Sequence, residues 1–270
     1  MDDRPIGVFD SGFGGLTVAR AVIDLLPAED LVYIGDTARY PYGPRALEEV
    51  RQFSAQICRK LVEDHDVKLI VAACNTAAAA GLDEVRSEFA LPVLTVVEPG
   101  LRATLQATVS RRIGVIGTVG TISSGAYQKA LRELDPEGSA QLTCSACPGF
   151  VEFVERGDTN SDQVYVLAER LLAPIRDAKV DALLLGCTHY PFLARTISDV
   201  VGREVVLVSS ADETAFELRS FLDDQGLATS SRSPGTHTWI SSGDVQIFRA
   251  LGQRLMGPEI DKVESWDPNH

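Results

Sequence analysis

Positive charge is scarce in this chain. Its 270 residues include 25 Lys and Arg against 38 Asp and Glu, so the formal net charge is -13 at pH 7. Proteins that hold a phosphate backbone need clustered Lys and Arg side chains, and the sequence contains no such cluster. The composition therefore argues against direct nucleic-acid binding.

Long apolar runs are also missing. No stretch approaches the roughly 20 apolar residues that cross a bilayer, and the first residues lack the apolar core and cleavage site of a secretory signal. We therefore expect a soluble cytoplasmic protein with no membrane partner. The five cysteines are an odd number, and in such a protein they are expected to be free thiols rather than a disulfide framework.

Apolar residues are plentiful enough for a large core, since they make up 45% of the chain. Short β-branched runs recur along it, and each except the last two precedes a segment of helical periodicity. This alternation predicts an α/β fold with mostly parallel sheets covered on both faces. The predicted strands are 6–10, 31–36, 68–74, 93–97, 112–118, 142–147, 182–187, 205–209 and 238–241. An amphipathic helix over 245–256 and a frayed polar tail are expected to follow.

A weak internal repeat divides the chain. Residues 5–11 (PIGVFDS) resemble residues 112–118 (RIGVIGT), so Ser11 corresponds to Thr118. Cys74 lies 63 positions after Ser11, and Cys187 lies 69 positions after Thr118. We therefore expect two similar half-domains, one from 1–97 plus 212–270 and one from 98–211. The active site should lie in the cleft where their strand ends face each other.

Cys74 and Cys187 each stand between an apolar run and a predicted helix. Backbone N–H groups and the positive end of a helix dipole favour a thiolate, which would make either cysteine a usable base near neutral pH. A cysteine at the end of a buried strand is more often a small packing residue. The repeated arrangement makes the chemical interpretation more favourable for this pair.

Polar residues accompany these junctions. His189 follows Cys187 by two positions, where it can share a proton with the thiol or simply cap a helix. Asp10 and Asp36 each end a predicted strand, and one of them is expected beside Cys74, although either can merely cap a helix. The glycine-rich segment 12–15 (GFGG) lacks the third glycine of a dinucleotide fingerprint. It is better suited to letting backbone amides approach a small anion.

The remaining cysteines give weaker signals. Cys144 and Cys147 have C-x-x-C spacing, which is compatible with redox chemistry or half a zinc site. No second such pair is present and the chain has only four histidines, so a metal site lacks further ligands. Cys58 lies in a helical stretch and is interpreted as a packing residue.

Four segments together closely resemble the glutamate racemase family. They are 10–15 (DSGFGG), 41–43 (PYG), 73–77 (ACNTA) and 186–191 (GCTHYP), in the family's order and spacing, and the similarity runs from residue 6 to about 221. The resemblance implies interconversion of L- and D-glutamate without pyridoxal phosphate, other cofactor or metal. D-Glutamate would supply peptidoglycan synthesis, and a homodimer is expected.

The resemblance also assigns roles to residues. Cys74 and Cys187 match the two catalytic thiols, with Asp10 as the acid–base partner of Cys74 and His189 as that of Cys187. Asp36 matches a further carboxylate of the family's catalytic set, and Glu155 matches its additional glutamate. Glu152 stands where the family usually has proline. The substrate contacts implied are Asp10, Ser11, Tyr42, Gly43, Asn75, Thr76, Thr118, Thr121, Thr188 and His189. Two alternatives remain open: racemisation of aspartate on the same fold, and a secondary interaction that restrains DNA gyrase.

Overall fold

The computed structural model describes residues 1–268, in which the backbone forms two separate sheets. The strands are β1 (Ile6–Asp10), β2 (Leu31–Gly35), β3 (Leu69–Ala72), β4 (Val93–Thr95), β5 (Arg112–Gly117), β6 (Gln141–Ala146), β7 (Ala182–Gly186), β8 (Val206–Ser209), β9 (His237–Ser241) and β10 (Glu264–Ser265). The first sheet has the order β10-β9-β2-β1-β3-β4, and the second has the order β6-β5-β7-β8. Every described pairing is parallel. The predicted α/β class with two similar half-domains is confirmed.

Helices connect the strands, as parallel pairing requires. They are α1 (Leu16–Leu25), α2 (Leu47–His65), α3 (Asn75–Ala80), α4 (Asp83–Phe89), α5 (Val97–Ala107), α6 (Val119–Ser123), α7 (Ala126–Leu134), α8 (Phe150–Glu155), α9 (Asp162–Leu171), α10 (Ala173–Asp177), α11 (Ala194–Val201), α12 (Ser210–Gln225) and α13 (Val245–Met256). Short 3₁₀ turns occupy Tyr190–Leu193 and Gly257–Glu259.

Helix α12 corrects one sequence expectation, because the eighth apolar run does precede a helix. The hydroxyl of Ser209 caps it by accepting a hydrogen bond from the Ala211 N–H. Its buried positions include Ala211, Ala215, Leu218 and Leu222, three or four residues apart. Small alanine side chains give this stripe a weak hydrophobic signal, yet it packs against both α1 and α5.

The polar tail is also more ordered than predicted. Strand β10 pairs with β9 in parallel, and the Trp266 N–H donates to the Ser241 carbonyl oxygen at 3.0 Å. Arg39 and Lys60 lie over the Trp266 ring, at 5.7 and 5.9 Å from its centroid. These contacts attach the segment to the edge of the first sheet, so the expectation of a frayed tail is wrong through Trp266.

Each sheet has a hydrophobic cluster on both faces. In the first sheet, one cluster lies against α1, α12 and α13, and the other lies against α2, α3 and α4. In the second sheet, α5 and α7 cover one face, and α8 to α11 cover the other. Burial on both faces explains why the strands read as continuous apolar runs.

The predicted division into 1–97 plus 212–270 and 98–211 falls in the first turns of α5 and α12. The strands of the first sheet all lie outside 98–211, and those of the second all lie within it. As a division into domains it stays a prediction. No helix within residues 1–268 combines the length and apolar character needed to cross a membrane.

Candidate active site

The two cysteines occupy equivalent positions in the two sheets. Phe9 pairs with Ala72 in the first sheet, and Ile116 pairs with Leu185 in the second. Cys74 and Cys187 each lie two residues beyond the second member of these pairs. The internal repeat between residues 5–11 and 112–118 therefore corresponds to two strands with equivalent positions in their sheets.

Both thiols line one small cavity between the sheets. Its free volume is about 20 Å³, room for on the order of one water molecule. The lining residues are Ser11, Tyr40, Pro41, Tyr42, Gly43, Cys74, Asn75, Thr76, Thr118, Val151, Cys187, Thr188 and His189. The structure thus brings together most of the substrate contacts implied by the sequence.

Cys74 caps helix α3 and is almost fully buried. Burial, together with the nearby charge of Asp10, raises the pKa of its thiol to about 12. Hydrogen bonds from the Ala77 N–H and from Ser11 oppose this shift. In this closed cavity desolvation opposes the helix N-terminus, and the role of Cys74 as a base near neutral pH stays a prediction.

Asp10 is the carboxylate beside Cys74, and its side chain is fully buried. Burial raises its pKa, while the charge of His189 and hydrogen bonds from Gly12, Gly15 and Cys74 oppose the rise. The Gly12 N–H donates to Oδ2 at 3.1 Å. A carboxyl group with a raised pKa in contact with a thiol is able to exchange a proton with it.

Cys187 has a different partner. Burial raises the pKa of its thiol well above the usual value, and the charges of Cys74 and Asp10 raise it further. His189 Nδ1 lies 4.0 Å from Cys187 Sγ, and His189 Nε2 lies 2.9 Å from Glu155 Oε1. This thiol–imidazole–carboxylate chain has the form of an acid–base group oriented by a third residue.

Glu155 reaches this position from helix α8, which is regular although Glu152 stands inside it. The imidazole of His189 is further fixed by two rings, with centroid distances of 5.1 Å to Phe13 and 5.9 Å to Tyr40. The histidine is only 2% exposed. Its orientation is therefore determined from several sides.

Three threonines connect the two halves next to the cavity that holds the thiols. Thr76 Oγ1 lies 3.0 Å from Thr118 Oγ1 and 3.1 Å from Thr121 Oγ1, and the two latter atoms lie 2.9 Å apart. Thr76 belongs to the first half, whereas Thr118 and Thr121 belong to the second. Gly43 joins this cluster, since its carbonyl oxygen accepts from the Gly120 N–H at 2.9 Å. Hydroxyls of this kind can donate to a carboxylate.

Asp36 has other contacts. Its buried carboxylate accepts hydrogen bonds from Tyr42, from Arg39 Nε at 2.7 Å and from Ser242 Oγ at 2.6 Å. These bonds hold the segment with Tyr42 and Gly43 against the end of β2. The geometry favours a positioning role for Asp36, and its predicted acid–base role remains a prediction.

Sequence reasoning missed several residues of the site. Tyr40 and Val151 line the cavity, Phe13 packs on His189, and Tyr127 contacts Asn75 through its hydroxyl. Tyr40 adjoins the segment 41–43 and Phe13 lies within the segment 10–15, so both could have been found from these segments. Tyr127 lies on helix α7, and no pattern in the sequence links it to the cavity.

The C-x-x-C pair does not form one site. Cys144 lies in the cluster under α5 and α7, and Cys147 lies in the cluster on the opposite face of the second sheet. Burial raises the pKa of Cys144 to about 11 and that of Cys147 to about 12. Within residues 1–268, no group of three His, Cys, Asp or Glu side chains is arranged to hold a metal ion. The geometry argues against the redox and zinc alternatives.

A second depression adjoins the cavity and shares Pro41, Gly43, Thr118 and Val151 with it. Its walls include Pro44, Val119 and Pro148, and Glu152 is the only charged residue that lines it in the described part of the chain. We describe this depression as the mouth of the cleft. It adjoins the threonine cluster.

Comparison with known proteins identifies the family of the chain. A family model described as Asp/Glu/hydantoin racemase matches residues 6–216. A glutamate racemase from Acidothermus cellulolyticus is 49% identical over 264 residues, which cover 97% of this chain and 99% of that protein. One from Bacillus cereus is 41% identical, covering 97% and 96%.

Solved structures agree. The glutamate racemase isoform RacE1 of Bacillus anthracis has a TM-score of 0.90 and 39% identity, covering 98% of this chain and 97% of that one. The glutamate racemase of Francisella tularensis, solved in complex with D-glutamate, has a TM-score of 0.91 and 32% identity, covering 100% and 99%. The chain is therefore a racemase of the Asp/Glu/hydantoin racemase family, and its relatives group it with the glutamate racemases.

Proposed function

We propose that this protein interconverts L- and D-glutamate without a cofactor, using Cys74 and Cys187 as the two proton-transfer groups. One observation carries the proposal: equivalent strands of two facing halves deliver two buried thiols to one cavity. Relatives described as glutamate racemases at up to 49% identity over nearly the whole chain support glutamate as the substrate.

Racemisation requires removal of the α-proton from one face of the substrate and return of a proton to the other face. A group on each side avoids the need to turn a bound carbanion over. In the proposed direction from D-glutamate, the Cys74 thiolate takes the proton and the Cys187 thiol delivers one. The reverse direction exchanges their roles, so one sulfur is ionised while the other is protonated.

The two titrations are expected to be coupled. Each thiol has a pKa raised by burial, and the charge of Cys74 raises that of Cys187. Ionising both at once is therefore unfavourable, so at most one of the two sulfurs is a thiolate at a time. Asp10 and His189 can accept and return protons on their respective sides, and Glu155 orients His189.

Binding must neutralise the charge of the substrate without a cation clamp. Within the described part of the chain, the residues that line the cavity include no Arg or Lys. We propose that the hydroxyls of Thr76, Thr118 and Thr121 donate to a carboxylate of glutamate. Such oriented donors also stabilise the negative charge that develops when the α-proton leaves, and exclusion of water strengthens them.

The cleft must open for substrate. A free volume of about 20 Å³ is far smaller than an amino acid, since it holds on the order of one water molecule. We propose that residues 1–97 plus 212–270 and residues 98–211 act as two domains that separate and close again. Closure would reform the contacts of Thr76 with Thr118 and Thr121. D-Glutamate formed in this way would supply peptidoglycan synthesis.

The test follows optical rotation with D-glutamate and L-glutamate as separate substrates. Cys74→Ala and Cys187→Ala are each expected to lower kcat at least about 10³-fold, with unchanged circular dichroism. Cys144→Ser is the matched control, because this thiol lies outside the cavity. Turnover within tenfold of the original in either alanine variant would overturn the two-thiol mechanism. Faster racemisation of D-aspartate than of D-glutamate would overturn the substrate assignment.

A further inference from the structure

Asn75 carries a buried acceptor without a protein partner. It follows Cys74 directly, lines the cavity and is only 3% exposed. Its Nδ2 donates to the Tyr127 hydroxyl at 2.9 Å. Its Oδ1 is buried and, among the described residues, has no hydrogen-bond partner. Such an atom is costly to bury, so its presence beside the thiols calls for a ligand that donates to it.

Tyr127 reaches Asn75 from the opposite half of the molecule. It belongs to helix α7 and is 1% exposed. Space for its hydroxyl depends on Gly186, where an added Cβ would lie 2.9 Å from the Tyr127 oxygen and 2.7 Å from the Ile116 carbonyl oxygen. Gly186 immediately precedes Cys187. The hydroxyl therefore lies between the two strand ends that carry the thiols.

Burial raises the pKa of Tyr127, so the phenol stays neutral over the range in which the thiols work. Its oxygen accepts a hydrogen bond from the Asn75 amide nitrogen. This bond fixes the orientation of the carboxamide, with Nδ2 toward Tyr127. With one Nδ2 hydrogen held in this way, Oδ1 is the amide atom that remains without a hydrogen-bond partner among the described residues. A carbonyl oxygen accepts hydrogen bonds and cannot donate them.

We infer that Tyr127 is a positioning residue that orients Asn75, so that Oδ1 accepts a hydrogen bond from the α-ammonium group of the substrate. The inference rests on the proposed function and adds a role for a residue outside the cavity lining. The contact exists before and during proton transfer, so it contributes to binding more than to the chemical step. Tyr127 also makes this binding contact depend on the closed arrangement of both halves.

The test removes only the hydroxyl, in Tyr127→Phe. Loss of one hydrogen bond is expected to raise KM for both enantiomers about 10-fold, with kcat changed less than about threefold. In an Asn75→Ala background, Tyr127→Phe should change KM no further, because the two residues act as one unit. Tyr165→Phe, at an exposed tyrosine of α9, is the control and should leave both constants unchanged.

Glutarate separates positioning from general disorder, since it has both carboxylates of glutamate and no ammonium group. Its inhibition constant should change less than about twofold in Tyr127→Phe, given that the lost contact concerns only the ammonium. An unchanged KM, equal effects of Tyr127→Phe with and without Asn75, or an equal loss of glutarate binding would overturn the inference. If the unaltered protein neither racemises nor binds glutamate, the proposed function fails as well; if it does both, only the inference is at stake.

Discussion

The two halves of the molecule share a scaffold and differ in the groups attached to it. Strands β2-β1-β3-β4 of the first sheet have the same order as β6-β5-β7-β8 of the second. Cys74 and Cys187 occupy the same place in these two arrangements. The repeated scaffold thus provides two thiols in equivalent positions, as a reaction on two faces of one carbon requires.

The neighbours of the thiols are not equivalent. Asp10 in the first half corresponds to Gly117 in the second, and Thr76 corresponds to His189. A fully buried carboxyl therefore accompanies Cys74, whereas an imidazole paired with Glu155 accompanies Cys187. The comparison indicates that strand order fixes the geometry, while in the proposed mechanism single positions at the strand ends determine how each thiol exchanges its proton.

The largest effects are expected from removing these two neighbours. Asp10→Asn and His189→Asn should each lower kcat/KM about 10²- to 10⁴-fold, the usual range for an acid–base group. Because the two enantiomers have equal free energy, kcat/KM must fall by the same factor in both directions. The difference between the halves should appear in the primary isotope effect measured with α-deuterated glutamate.

The isotope effect identifies the side that each residue serves. Asp10→Asn should increase it for D-glutamate and decrease it for L-glutamate, because proton removal by Cys74 becomes rate-limiting. His189→Asn should give the opposite pattern. Equal changes for both enantiomers in either variant would mean that the residue serves both thiols, and the proposed division between the halves would be wrong.

In the proposed mechanism Glu155 acts through His189, one step further from the substrate. Glu155→Gln keeps a group that can bond His189 Nε2 but removes the charge that favours the imidazolium. We expect a loss of about 10-fold in kcat/KM, smaller than that of His189→Asn, with the L-glutamate isotope effect raised. In a His189→Asn background Glu155→Gln should have no further effect, and an additive loss would show that Glu155 contacts the reaction independently.

Much of this comparison was visible in the sequence. The short repeat in residues 5–11 and 112–118 and the two cysteines that follow predicted the paired halves. Strand runs such as 112–118 and 182–187 were recognisable because parallel strands buried on both faces are continuously apolar. His189 and Asp10 could be predicted because they lie close to the strand ends in sequence as well as in space, whereas Asn75, Thr76 and Thr188 were implied by the resemblance to the glutamate racemase family.

Other features depend on contacts that sequence patterns do not encode. Tyr127 lies 52 positions from Asn75, with which it shares a hydrogen bond. Helix α12 buries a stripe with small side chains, so its periodicity is weak. The raised pKa of Cys74 results from the extent of burial, which the sequence does not reveal, whereas the opposing helix end could be predicted.

Stability should also distinguish the halves, through Asp10 and Asp181. Burial raises the pKa of Asp10 above the 3.8 of an unfolded chain. Between pH 3.8 and the raised pKa of the folded state, the folded protein binds more protons than the unfolded chain. The free energy of unfolding therefore falls as the pH rises through this range. Asp10→Asn removes this penalty and should raise Tm at pH 7 by on the order of 2–4 °C. Its advantage should shrink as the pH is lowered toward 4.

Asp181, which precedes β7, should respond with the opposite sign. Burial alone would raise its pKa, but hydrogen bonds from Thr108, Ser110 and Val109 lower it to about 2. Its stabilising contribution is present above pH 3.8 and lost as the pH falls toward 2. Asp181→Asn should therefore lower Tm at pH 7, as measured by thermal scans from pH 3 to 8.

The same scans test the prediction for Asp10. A lower Tm for Asp10→Asn at pH 7 would contradict the assignment of a buried carboxyl that destabilises the folded state.

The smallest predicted effect concerns the second half alone. Among residues 1–268, Glu152 is the only charged residue that lines the mouth of the cleft, and it repels a substrate with net negative charge. Glu152→Gln should raise kcat/KM about twofold at low salt, mainly through KM, and this gain should vanish near 1 M salt, where the Debye length is about 3 Å. Glu137→Gln, at an exposed turn before β6, is the control. A gain that persists at high salt would point to a change of shape at the mouth instead of charge, because screening removes only electrostatic repulsion.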